Sequence, residues 1–262
     1  MSKITTEKNI KVEFKNVAKA FGDRVILKDF SLKVPEGKTV VVLGGSGTGK
    51  SVSIKCLLGL LKPDNGKILV DGKSVIGLKE KKQYKLMRKF GMLFQFGALF
   101  DSFTNWENVA FALLEQGMNK KKAKNIAIEK LALVGLGKHV ADLMPSEISG
   151  GMKKRVSLAR AICTNPDIVL YDEPTTGLDP ITADTIDKLI VELRDKLNIT
   201  SIAITHDMKS AFKIADYIAL LYHGEIIYYD TVENTKTTDN PYIKQFINGE
   251  EDGPIDFFND KK

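Results

Sequence analysis

Residues 39–58 read TVVVLGGSGTGKSVSIKCLL, and this stretch constrains the fold more than any other. A continuous apolar run predicts a strand covered on both faces. After it, Ile54, Leu57, Leu58 and Leu61 recur at helical spacing. Between strand and helix, Gly44, Gly49, Lys50 and Ser51 fit the pattern G-x-x-x-x-G-K-[ST]. Glycines accept backbone angles that other residues resist, so successive N–H groups can wrap a phosphate. Lys50 would neutralise the β- and γ-phosphates of a nucleotide, and the Ser51 hydroxyl would ligate its Mg2+. A strand feeding a helix through such a loop predicts an α/β fold with a parallel sheet.

Other strand-like segments end in chemistry-bearing residues. DIVLYDE (167–173) is apolar until Asp172 and Glu173. A desolvated carboxylate is costly without a partner, and Mg2+ would supply one. Asp172 would hold the metal through its water shell, and Glu173 would orient or deprotonate an attacking water. FGMLF (90–94) is followed by Gln95, whose amide could reach both metal and water. TSIAIT (200–205) is followed by His206, at the strand end where ligands of such sheets bind. A lone histidine is more often structural, and a glutamine there could simply cap.

A second phosphate cradle appears in SEISGGMKKRVSLAR (146–160). Two glycines stand at the mouth of a basic, amphipathic helix, where free N–H groups and the helix dipole favour an anion. Around these motifs, Ile10, Val12 and Phe14 alternate, as do Phe30, Leu32 and Val34, predicting half-buried antiparallel strands. Asn65-Gly66 and Asp71-Gly72 read as turns flanking ILV. From about 96 to 165 the periodicity is helical, without a convincing strand. YIALLY and EIIYY flank His223-Gly224 as a hairpin.

In order and spacing, GGSGTGKS, Gln95, SGGM, LYDEP, GLDP and ITHD resemble the motif set of ABC-type ATPases, from about Val12 to about Tyr229. The resemblance implies an α/β P-loop NTPase (RecA-like) core with an N-terminal antiparallel β subdomain and an inserted α-helical subdomain. The nucleotide-binding domain would span 10–240, with the helical insertion at about 96–165, and 241–262 would form a C-terminal extension. The implied cofactors are ATP and Mg2+. Gly44, Gly45, Ser46, Gly47, Thr48, Gly49, Lys50, Ser51 and Val52 would cradle the nucleotide, with Phe21 stacked on adenine. Ser51, Gln95 and Asp172 would serve the metal, and Glu173, His206 and Gln95 the hydrolysis.

The resemblance also explains why one chain carries two cradles. In ABC ATPases the signature of one subunit closes over the nucleotide held by the P-loop of the other. A homodimer follows, in which Ser149, Gly150 and Gly151 contact the γ-phosphate across the interface and Asp179 couples the two sites. One departure is Met152, where the common signature has glutamine.

A closer resemblance lies in MLFQFGALFDSFTNWENVAF, LMPSEISGGM, GLDPIT and FINGEEDGPI, which are similar to ATPases of the Mla-type phospholipid transporters of the MCE group. It implies lipid transport between inner and outer membrane, an integral-membrane permease partner, an MCE-domain subunit and, in some members, a STAS-domain subunit. Phe96, Leu99, Phe100, Phe103 and Trp106 lie within eleven residues and are expected to form a docking surface. Tyr242, Phe246 and Ile247 have helical spacing, and Ile255, Phe257 and Phe258 follow a Gly-Pro break. This tail is expected to pack against a sister subunit.

Composition sets the boundaries. No apolar run approaches the roughly 18 to 20 residues that span a bilayer, so a transport role needs a separate permease. The N-terminal stretch carries no apolar segment of a secretory signal. Cys56 and Cys163 read as reduced core thiols of a cytoplasmic protein, not as a disulfide or metal pair. A peripheral place at the cytoplasmic face of the bacterial inner membrane is what the resemblance implies. A net charge of +6 is concentrated in KEKKQYKLMRK and NKKKAK. Solvated helix faces are the plain reading, and neither run interleaves aromatics as nucleic-acid binding would. The competing functions are an ABC ATPase for another solute and a soluble ABC ATPase acting on DNA or ribosomes.

Overall fold

The computed structural model describes residues 9–45 and 47–255. Ser46, Phe257 and Phe258, singled out from the sequence, lie outside the described residues. The chain divides into two compact units, one made of residues up to 77 and from 205 onward, the other of residues 78–204. The helical block expected at 96–165 falls within the second unit, together with flanking strands.

The first unit opens with β1 (Ile10–Phe21), β2 (Arg24–Pro35) and β3 (Thr39–Leu43), then α1 (Lys50–Leu57), β4 (Asn65–Val70) and β5 (Lys73–Ser74). The second contains α2 (Glu80–Met87), β6 (Phe90–Leu93), α3 (Asn105–Glu115), α4 (Lys120–Leu133), α5 (Gly150–Ala161), β7 (Ile168–Asp172), α6 (Pro180–Leu197) and β8 (Thr200–Ile204). The chain then returns to the first unit as α7 (Met208–Ile214), β9 (Tyr217–Tyr222), β10 (Glu225–Thr231), α8 (Val232–Thr237) and α9 (Pro241–Asn248).

In the first unit the strand order is β5-β4-β1-β2-β10-β9-β3. β1 and β2 pair antiparallel, and their alternating apolar residues bring Phe14 edge-on to Phe30, with centroids 5.0 Å apart. β3 is buried along its whole length and pairs with β9 in parallel, as its unbroken apolar run predicts. Asp216 closes the β9 end by accepting from the Thr39 N–H at 2.8 Å. In the second unit β8, β7 and β6 lie side by side, all parallel.

Two expectations change. Asn65-Gly66 is not a turn: both residues belong to β4. Gly66 lies so close to β1 that a Cβ there would sit 2.3 Å from the Asn16 carbonyl oxygen, beside a register shift between Lys15 and Ala18. This glycine serves a close strand approach, whereas Asp71-Gly72 does form the turn, with φ of 49° and 71°. Trp106 is 9% exposed and belongs to the core of the helical block, so it leaves the expected docking set. The first charge run forms α2, which buries no residue, as a solvated helix should.

The C-terminal extension is described as far as Ile255. α9 begins with Asn240 accepting from the N–H groups of Tyr242 and Ile243. The Gln245 amide accepts from the Ile255 N–H at 2.7 Å and donates to the Ile255 carbonyl at 3.0 Å, which fastens the segment to its own chain.

Candidate active site

The first unit holds the P-loop. α1 is capped by Gly49, left-handed with φ of 107°, so no cap side chain competes with an anion for the N–H groups that open the helix. A Cβ at Gly49 would lie 2.9 Å from Leu27 Cδ2 and 3.0 Å from the Ile26 carbonyl oxygen, so both φ and space require glycine. Lys50 is buried, and its Nζ donates to the carbonyls of Gly44 and Gly45, each at 2.7 Å. Thr48 Oγ1 also donates to Gly45 at 2.9 Å. The loop is therefore pre-shaped around its lysine. Ser51 is exposed, as is His206 just after β8. Phe21 ends β1 at 49% exposure, with Lys19 Nζ 5.3 Å from its ring centroid, so much of the ring remains open.

The second unit gathers the other residues. Asp172 ends β7, and Glu173 follows it in a left-handed conformation, φ 48°. That strain is held by the Glu173 N–H, which donates to the Ile204 carbonyl at 2.8 Å, and by Thr176 Oγ1, which donates to Glu173 Oε2 at 3.2 Å. Gln95 lies two residues beyond β6, on a half-buried loop.

Ser149 caps α5, its Oγ accepting from the Met152 N–H at 3.3 Å. Met152 thus contributes through its backbone, which no side chain alters. A Cβ on Gly150 would meet nothing within 4 Å among the described residues, while one on Gly151 would lie 2.7 Å from Thr182 Cγ2 at the start of α6. Gly151 thus has a packing duty within the chain, and Gly150 has none. Asp179 caps α6 through the N–H groups of Ile181 and Thr182. The Thr182 side-chain hydroxyl first, and then the N–H groups of Thr182 and Ile181, hold its carboxyl below the ordinary range.

One residue central to this unit was not anticipated. Lys154, on α5, is 5% exposed, and its Nζ donates to the carbonyls of Phe94, Gln95 and Glu173. Burial pushes its pKa down to about 8, against the opposing pull of Asp172 and Glu173. Ser157 and Arg160 continue the same helix face, reaching the carbonyls of Gly97 and Ala98. The spacing Lys154, Ser157, Arg160 was visible in the sequence, but in a run of cations it reads as surface.

Comparison with known proteins decides the family. The ABC transporter family profile matches residues 27–176. The chain belongs to the ABC transporter family. It is 40% identical over 247 residues to the intermembrane phospholipid transport system ATP-binding protein MlaF of Haemophilus influenzae, covering 94% of this chain and 93% of that protein. It is also 40% identical over 253 residues to the probable ribonucleotide transport ATP-binding protein mkl of Mycobacterium leprae, covering 96% of this chain and 73% of that one. Among solved structures, the dimeric post-hydrolysis ATP-binding cassette MJ0796 bound to ADP and Pi superposes with a TM-score of 0.76 at 32% identity, over 84% of this chain and 98% of that one. The fold is that of an ABC cassette, and the chain is an ATP-binding ABC-type ATPase.

Proposed function

We propose that this ATPase powers phospholipid transport between inner and outer membrane, working as a homodimer with a separate integral-membrane permease. The near end-to-end match to the MlaF relative carries this reading. Its place is the cytoplasmic face of the inner membrane; none of the helices in the described residues is long and apolar enough to cross a bilayer. An MCE-domain subunit completes the assembly on this reading, with a STAS-domain subunit added in some members of the group.

The permease would rest on the exposed aromatics beside Gln95. Phe96 is 83% exposed, and Phe100 packs on Phe111 at 4.7 Å while presenting an open face. Asn108, fully buried, braces this loop by accepting from the Phe100 N–H at 2.7 Å and donating to the carbonyls of Phe100, Phe103 and Thr104. A braced apolar loop needs little reordering to bind.

In hydrolysis, Lys50 and the N–H groups opening α1 take the phosphates, and Phe21 offers its ring to the base. Ser51, Gln95 and Asp172 offer oxygen donors only, which suits Mg2+, and no three His, Cys, Asp or Glu side chains among the described residues cluster into a metal site of their own. The ion would offset charge on the phosphates. Glu173 orients or deprotonates the attacking water, and His206 faces the γ-phosphate. Ser149, Gly150 and Gly151 of a second copy close over the same nucleotide. Asp179 has its carboxylate committed to α6, so it would couple the sites by fixing the loop before that helix. The extension from α9 onward would steady the pair.

The name of the mkl relative favours a second reading, ribonucleotide transport, although the match leaves about a quarter of that protein uncovered. Purification of the chain from gently solubilised membranes separates the two. A co-purifying permease with phospholipid in organic extracts is expected. A permease retaining ribonucleotide and no phospholipid would replace the cargo, and ribosomes or DNA in place of a permease would overturn the transport reading.

A further inference from the structure

After β6 ends at Leu93, the backbone carrying Gln95 has no strand partner. Gly97 and Ala98 take φ of 76° and 49°, and the loop's carbonyls must find donors outside regular structure. They find them on one face of α5. Lys154 reaches Phe94 at 3.4 Å and Gln95 more closely; Ser157 Oγ reaches Gly97 at 2.9 Å; Arg160 reaches Gly97 at 2.7 Å and Ala98 at 2.8 Å. Lys154 alone of the three also reaches out of this loop, to the Glu173 carbonyl at 3.4 Å.

An ammonium has three donors, and here three carbonyls take them. A methionine would fill the same volume without the cost of a buried charge, so the lysine's value lies in where its donors point. Glu173 sits in a strained left-handed conformation whose carbonyl direction is set by that strain. The helix carrying the lysine begins at the signature serine, five residues earlier.

We propose that Lys154 is a positioning residue for ATP hydrolysis: its one ammonium locks the backbone at Gln95 to the backbone at Glu173 and ties both to the signature helix. The water-orienting carboxylate and the glutamine amide thereby keep a fixed spacing whenever α5 moves. Lys154 touches no reacting atom and acts through these two residues. The proposal rests on the assignment of Gln95 and Glu173 to hydrolysis.

The test compares Lys154→Met, Lys154→Gln and Lys154→Arg in the full chain, reading kcat and KM for ATP and the equilibrium affinity of a fluorescent ATP analogue. Lost positioning lowers kcat about tenfold or more in the Met variant, with KM and affinity within about threefold of wild type. The Arg variant, which still donates to carbonyls, restores most of the rate. Should the Met variant not fold, the Gln variant, with one amide donor group, is read by the same criteria. A wild-type kcat overturns the proposal, as does a loss carried in proportion by KM and affinity, or an Arg variant no faster than Met. Glu173→Gln separates the two levels: if it turns over at the wild-type rate, the underlying assignment fails, whereas a dead Glu173→Gln beside a fully active Lys154→Met sinks only the role of Lys154.

Discussion

Two of the four lysines buried among the described residues, and the two buried cysteines, show how environment divides residues of one type. Lys50 and Lys154 both rest on backbone carbonyls. Only Lys50 was legible in the sequence, because glycines at fixed offsets announce a phosphate loop. Lys154 stands between Lys153 and Arg155, and its burial depends on how α5 packs, which a charge run does not reveal. Gly151 is a second case: a Cβ there would press on the Thr182 side-chain methyl at 2.7 Å, a contact that no motif encodes. The cysteines were read correctly as core thiols. Both are buried and free; burial raises the Cys56 thiol and pushes Cys163 to about 11. At pH 8 roughly a thousandth of Cys163 would be thiolate, and access is closed besides. Native protein mixed with a chromogenic disulfide reagent at pH 8 is expected to release no fast colour, and denatured protein to release two equivalents. One fast equivalent from native protein would contradict this burial.

At the scale of elements, α5 joins more of the site than any other. It starts at the signature, holds the Gln95 loop along its middle and ends against β6. At that last contact a Cβ on Gly91 would lie 2.0 Å from the Ala161 carbonyl oxygen and 3.2 Å from Pro166 Cγ. Backbone cannot yield as a flexible side chain can, so Gly91→Ala must push the helix end away from the strand. The expected cost is about 3 kcal/mol, at the upper end for overpacking, read as a lower urea midpoint with an unchanged slope. A midpoint equal to wild type would mean that the strand and helix are not in this contact. Helical periodicity disclosed α3, α4 and α5, and unbroken apolar runs disclosed β3, β7 and β8. Turn signals failed at Asn65-Gly66, where a glycine demanded by strand proximity imitates a hairpin turn.

At the scale of the whole molecule, Gly150 poses the question that one chain cannot answer. A glycine in a helix is disfavoured by up to about 1 kcal/mol relative to alanine. Here its missing Cβ spares no clash with the described residues. The cost makes sense if something outside the chain approaches the backbone closely, as a phosphate held by a second copy would. Mixing two inactive variants tests this. Ser149→Arg loses a helix cap worth about 1 kcal/mol, which should leave the fold and nucleotide binding by the isolated chain intact. Lys50→Ala spoils the P-loop and spares the signature. Each alone should hydrolyse almost nothing. In a mixed dimer, the intact P-loop of the first variant meets the intact signature of the second, so one good site re-forms. Random pairing then restores about a quarter of the sites, since a two-fold dimer of two variants is mixed half the time and carries one good site. The ATPase rate of the mixture should rise with the fraction of mixed dimers and vanish when either variant is in great excess. If each nucleotide were instead enclosed by both cradles of a single chain, no mixing ratio would recover activity, and the homodimeric mechanism would have to be abandoned.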